Sequence, residues 1–98
     1  SPSLKLAKEL SKKFKIYYID PYLKNNIGDI KKINNLKKLI EFDAIIFSVK
    51  HKEFKNITFK NIKVKKNTIV YDSNLVLTPK QVKQFKQKNV LFKKVGMS

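Results

Sequence analysis

Apolar residues recur along this chain in short runs of changing period, and each change marks a new element. Leu4, Ala7, Leu10 and Phe14 stand three or four apart, with Lys5, Lys8, Glu9 and Lys12 between them. That spacing predicts an amphipathic helix with one face for a sheet. Ser1-Pro2-Ser3 opens it. A serine hydroxyl accepts from a free N–H of the first turn, and proline suits the first helical position, where its missing donor is not needed. Phe14 to Ile19 is aromatic and β-branched, the composition of a strand. Asp20-Pro21 ends it, because proline cannot donate to a ladder. Tyr22 to Asn34 is a polar connection containing Gly28, with Ile27, Ile30 and Ile33 spaced to touch a core. Asn34 or Asn35 then caps a short helix through Phe42, with Leu36, Leu39 and Ile40 facing inward.

Ala44 to Val49 is apolar except for Ser48, which suits a strand buried on both faces of a parallel sheet. It runs into Lys50, His51, Lys52 and Glu53, and then Phe54. Open α/β sheets bind ligands at the carboxyl ends of their strands, so this cluster stands where a ligand is expected. Ile57, Phe59, Ile62 and Val64 fit neither period and predict a short helix or an irregular cover. Thr68 to Tyr71 is a strand ending in Asp72-Ser73-Asn74. Thr78-Pro79 starts a helix with Val82 and Phe85 inward, and Val90 to Val95 is a last strand stopped by Gly96. Strands alternating with helices imply an α/β domain with a mainly parallel sheet. Its 98 residues make one small domain.

Composition narrows the chemistry. A hydrophobic share of 42% supports one modest core. The formal charge of +16 invites a polyanionic partner. Yet every basic residue is lysine, with no arginine for bidentate contact to guanine or phosphate, and the lysines are spread along the chain. A solvated lysine surface is therefore favoured over a nucleic-acid face. Without cysteine there is no disulfide, thiolate metal site or cysteine nucleophile. One histidine leaves no zinc set, and two glycines write neither a dinucleotide fingerprint nor a P-loop. Ser48, His51 and Asp72 can be assembled into a triad only on paper, since no nucleophile elbow surrounds Ser48. No apolar run is long enough to span a membrane and no signal peptide opens the chain, so a cytoplasmic protein is the expectation.

The order SPSLKLAKEL, YYIDPY, DAIIFSVKHKEF, IVYDSNLVL and a final strand into VGM resembles the C-terminal, UDP-binding domain of the UDP-glucose/GDP-mannose dehydrogenase family. That domain has a serine–proline helix start, matched by Ser1-Pro2-Ser3, and a strand ending in D-P, matched by Asp20-Pro21. An A-D-A-type entry leads to a strand ending in H-x-x-F, matched by Asp43-Ala44, His51 and Phe54. A later strand ends in D-x-R. The resemblance covers essentially the whole chain. It implies that residues 1–98 are the UDP-sugar-binding domain of an NAD-dependent nucleotide-sugar 6-dehydrogenase, N-terminally truncated. Its parent carries an NAD-binding domain, a central dimerisation segment and the catalytic cysteine, and forms a homo-oligomer. Such enzymes oxidise the C6 alcohol of a UDP-sugar to a carboxylate, for polysaccharide biosynthesis. This chain then holds no catalytic residue, cofactor or metal site of its own. The implied UDP-sugar contacts are Asp20, Lys50, His51, Asp72, Ser73 and Asn74.

Two departures matter. The family's D-x-R arginine aligns with Asn74, so its cationic contact is lost or supplied by a lysine. The family's domain also begins with a strand and an F-K segment ahead of the serine–proline helix. The expected fold is thus a Rossmann-like three-layer domain lacking its first strand. That predicts a marginal monomer, a borrowed strand or a rearranged sheet, because interior backbone groups must be paired. Two other readings stay open: a structural or regulatory remnant without ligand binding, and a basic α/β module that binds nucleic acid.

Overall fold

The computed structural model describes residues 2–19, 30–31, 36–48 and 55–96. Helix α1 (Pro2–Leu10) leads to strand β1 (Ile16–Ile19); β2 (Ile30–Lys31), a 3-10 helix (Leu36–Glu41) and β3 (Ala44–Phe47) follow. After an irregular stretch come β4 (Ile69–Asp72), α2 (Pro79–Lys86) and β5 (Leu91–Lys94). The five strands form one sheet in the order β2-β1-β3-β4-β5, and every pair is parallel. The α/β expectation is met. The expectations for Ser1, Asp20-Pro21, Tyr22 to Asp29, the cap at Asn34 or Asn35, and Val49 to Phe54 lie outside the described residues.

The central strand is the one with the unbroken apolar run. All four residues of β3 are at most 1% exposed, because its side chains feed both faces. Ala44 and Ile46 join Ala7, Ile16 and Tyr18 beneath α1. Ile45 and Phe47 join Tyr17, Leu39, Phe42, Phe59, Val70 and Phe85 beneath α2. On that side the rings of Phe47 and Phe85 meet edge-on with centroids 5.7 Å apart, and Phe59 closes the cluster at 4.6 Å from Phe85.

The order is one of the common doubly wound ones. β1 lies directly against β3, in register from Ile16–Ala44 to Ile19–Phe47, so no gap separates the two halves. Each of the two keeps a second neighbour, β2 and β4.

Several local expectations are corrected. Phe14 does not face the sheet; it is 42% exposed, because α1 stops at Leu10 and the helical spacing does not carry through the turn that follows. Ile40 is likewise 43% exposed. A 3-10 helix has three residues per turn and eclipses every third side chain, so Leu36, Leu39 and Phe42 share the inner face and Ile40 is turned out. The polar connection after Pro21 contributes β2, a strand of only two residues. The unassigned stretch resolves as irregular cover. Phe59 is buried there, Gln84 Oε1 accepts from Phe59 N–H at 2.8 Å, and Gln81 Nε2 donates to the Ile57 carbonyl at 2.8 Å. Two glutamines of α2 thus hold a segment that has no period of its own.

Candidate functional site

Parallel pairing puts the carboxyl ends of the strands on one edge. Ile19 is level with Phe47, Phe47 with Asp72, and Asp72 with Lys94. In an open α/β sheet this edge is where ligands bind. Of the six candidate contacts, Asp72, Ser73 and Asn74 stand on it in sequence, at the end of β4 and in the turn after it. Asp20, Lys50 and His51 lie outside the described residues.

Asp72 is 2% exposed, and its carboxylate is engaged by the loop that follows it. Oδ1 accepts from Val76 N–H at 2.8 Å and, more loosely, from Asn74 N–H at 3.4 Å; Oδ2 accepts from Leu77 N–H at 2.9 Å. These backbone donors engage both carboxyl oxygens. The loop from Ser73 to Leu77 is therefore built around this side chain. Ser73 ties the edge together: its N–H and its hydroxyl both donate to the Phe47 carbonyl, each at 2.9 Å. The carboxyl end of β4 is thereby fastened to that of β3, and the exposed Asn74 follows directly.

Two further groups on this edge were not among the candidates. The Tyr18 and Ser48 hydroxyls share a buried hydrogen bond of 2.5 Å, joining β1 to the end of β3 on the α1 side. A polar residue interrupting the apolar run of β3 is the signal that points to Ser48. The triad written on paper needs His51, which lies outside the described residues. No group of histidine, cysteine, aspartate and glutamate suited to a metal ion occurs among the described residues. Among the described residues this edge offers hydroxyls, an amide and backbone groups, which are chemically able to form hydrogen bonds with a ligand.

At the opposite edge, Asp43 binds two segments together. Oδ2 accepts from Lys15 N–H at 2.8 Å, and Oδ1 from the Lys65 ammonium at 2.5 Å. The hydrogen bond from Lys65, and then that from the Lys15 backbone, hold its carboxyl below the ordinary aspartate value. The acid at the entry of β3 joins two segments, and it stands at the amino end of the strand, away from the carboxyl edge.

Among the described residues no helix is long and apolar enough to cross a membrane. Compared with known families, residues 1–79 match the UDP-glucose/GDP-mannose dehydrogenase family, UDP binding domain. No curated protein and no solved structure gives a match.

Proposed function

This chain belongs to the UDP-glucose/GDP-mannose dehydrogenase family through its UDP-binding domain, and from that premise we propose that residues 1–98 bind the nucleotide of a UDP-sugar for an NAD-dependent 6-dehydrogenase. The observation that carries the reading is the alignment of strand ends Ile19, Phe47 and Asp72 on one edge. Three sequence candidates directly follow those strands or close them: Asp20, the Lys50–His51 pair, and Asp72-Ser73-Asn74. In this reading Asp72 acts by shaping the loop whose backbone faces the nucleotide. Ser73 and Asn74 supply hydrogen bonds, and Lys50 and His51 supply cationic or polar contacts from the end of β3.

Turnover belongs to the rest of the parent enzyme. Without cysteine this chain cannot form a thiohemiacetal, and with two glycines it lacks the loop that brings a dinucleotide's pyrophosphate onto a helix. The NAD-binding domain, dimerisation segment and cysteine are assigned to other parts of a homo-oligomeric parent. The test is a titration of UDP into the full chain, followed through backbone amide resonances. Shifts centred on Ser48, Ser73, Asn74 and the segments after Ile19 and Phe47 are expected. Shifts centred on the amino edge, at Lys15, Asp43 and Lys65, would overturn the reading.

A further inference from the structure

The two faces of the sheet are not covered alike. All-parallel sheets occur with both faces packed against other elements. On one side, α2 and the irregular cover close over Phe47, Phe59, Val70 and Phe85. On the other, the described cover is α1, whose buried partners are Ile16 and Tyr18 of β1 and Ala44 and Ile46 of β3. Neighbouring helices pack about 8–10 Å apart and strands about 4.8 Å apart, so one helix covers about two strands. The α1 side of β4 and β5 is therefore one helix width of sheet beyond α1.

Side-chain alternation shows that this width is open. Phe92 packs with the α2 cluster, so Leu91, Lys93 and Val95 fall on the α1 side of β5. Leu91 is 52% and Val95 45% exposed, against at most 1% for the four residues of β3. Ile69 and Tyr71, the register partners of Leu91 and Lys93, are only partly buried. Between α1 and β5 runs a groove of about 280 Å³, with Leu6 and Leu10 on one wall, Ile69 and Tyr71 in its floor, and Lys93 and Lys94 on the far rim. This volume is at the lower limit of small-ligand sites, about 300–1,000 Å³, and exposed apolar surface continues outside it at Leu91 and Val95. A packed element fits that extent better than a small molecule.

Charge selects which element. The charged residues lining the groove are both lysines, and no ion pair to either occurs among the described residues. Glu9, the acid of α1, is already engaged by Lys12 at 3.0 Å. A second copy of the chain, at +16, would bring like charge against like. An acidic flank is complementary.

We propose that the α1 side of β4 and β5 docks an amphipathic helix of a partner protein, apolar on one face and acidic along its flanks. Its apolar face lies on Ile69, Tyr71, Leu91 and Val95 beside Leu6, and its carboxylates reach Lys93. From Leu91 to Val95 the strand rises about 13 Å, a length matched by about nine helical residues. The site lies on a face of the sheet and not at its carboxyl edge, so it does not rest on the nucleotide reading.

The probes are synthetic peptides of about 14 residues, titrated into the full chain at about 0.15 M sodium chloride. One carries leucines at helical spacing with glutamates on the flanks. A second has the same composition scrambled, and a third has lysines in place of the glutamates. Amide shifts from the first are expected to cluster at Leu6, Ile69, Tyr71, Leu91, Lys93 and Val95. It should bind about ten-fold or more tighter than either of the others, since it alone joins apolar burial to opposite charge. Leu91→Ser/Val95→Ser should lower its affinity about ten-fold, while Ile40→Ser, at an equally exposed apolar position elsewhere, changes it less than about two-fold. Lys93→Glu should weaken the acidic peptide and strengthen the lysine-flanked one. Equal binding of the scrambled peptide would reduce the effect to net charge and overturn the proposal. So would a homodimer in analytical ultracentrifugation that Leu91→Ser/Val95→Ser dissolves, which would make a second copy the occupant. Binding of the chain to phosphatidylcholine–phosphatidylserine vesicles, lost in the same variant, would make it a lipid surface and equally sink the helix.

Discussion

Asp43 and Asp72 sit at opposite ends of the central strands, and the difference between their partners decides what each can do. Asp72 is buried among backbone donors and organises the loop at the carboxyl edge of the sheet. Asp43 is partly exposed and joins the start of β1 to the segment before β4 through Lys15 and Lys65. Its carboxyl titrates below the ordinary value, so folding favours the ionised form. The sign follows: the stabilisation is fully present above the unfolded-state value, about 3.9, and is lost as pH falls through the lower folded-state value. Because the pair is more than a third exposed, solvent screening limits the effect to about 1 kcal/mol. Asp43→Asn is therefore expected to lower the unfolding free energy read from urea denaturation at neutral pH by that amount, and to converge with wild type as pH falls through the lowered folded-state value. A gap that persists undiminished in acid would mean that the ion pair and the ionised acceptor contribute nothing.

At the scale of elements, α2 shows how a short helix can hold a segment without its own pattern. Thr78 Oγ accepts from Gln81 N–H at 3.2 Å, and Gln81 Oε1 accepts from Thr78 N–H at 2.9 Å, a reciprocal capping box. The same Gln81 side chain is 2% exposed and donates to Ile57, so one residue both starts the helix and fastens the cover. Thr78→Ala is expected to cost about 1 kcal/mol. Gln81→Ala should cost about 2–3 kcal/mol, since it also leaves a buried carbonyl without its donor. Chemical denaturation of the two single variants and the double variant reads the coupling; strictly additive losses would show that the box is not cooperative. These contacts also mark how far the sequence alone could go. Thr78-Pro79 declares its helix and Ala44 to Phe47 its buried strand, because cap chemistry and apolar runs are local signals. Residues 57–64 cannot declare themselves, since what holds them is 24 and 25 positions away. Two residues of β2 are too few to display a period, and Ile40 depends on a choice between helix types that composition does not make. At the ligand edge, Asp72-Ser73-Asn74 is legible as a strand end. The place of Lys94 beside Asp72 is not, because it comes only from the pairing of β5 with β4.

For the whole molecule the governing quantity is charge against size. The chain folds to a radius of gyration of 12.2 Å, as compact as the roughly 13 Å expected for a folded domain of 100 residues. Into that volume the sequence places a formal charge of +16. The lysines do not form one face: exposed ones occupy α1 over one side of the sheet and α2 over the other. That distribution favours a solvated surface over a polyanion-binding face, and it makes self-repulsion a general load on the folded state. The molecule extends about 30 Å, three times the Debye length of about 10 Å at 0.1 M salt, so added salt screens repulsion between distant lysines efficiently. The Asp43–Lys65 and Glu9–Lys12 attractions are weakened too, but these two pairs of the described residues are set against many repulsive contacts. The melting temperature is therefore expected to rise by several degrees when sodium chloride is raised from about 10 mM to about 0.5 M. Chloride is chosen over sulfate because sulfate also strengthens apolar burial and would confound the reading. A melting temperature that falls with salt would mean that attractive pairs outweigh the lysine repulsion.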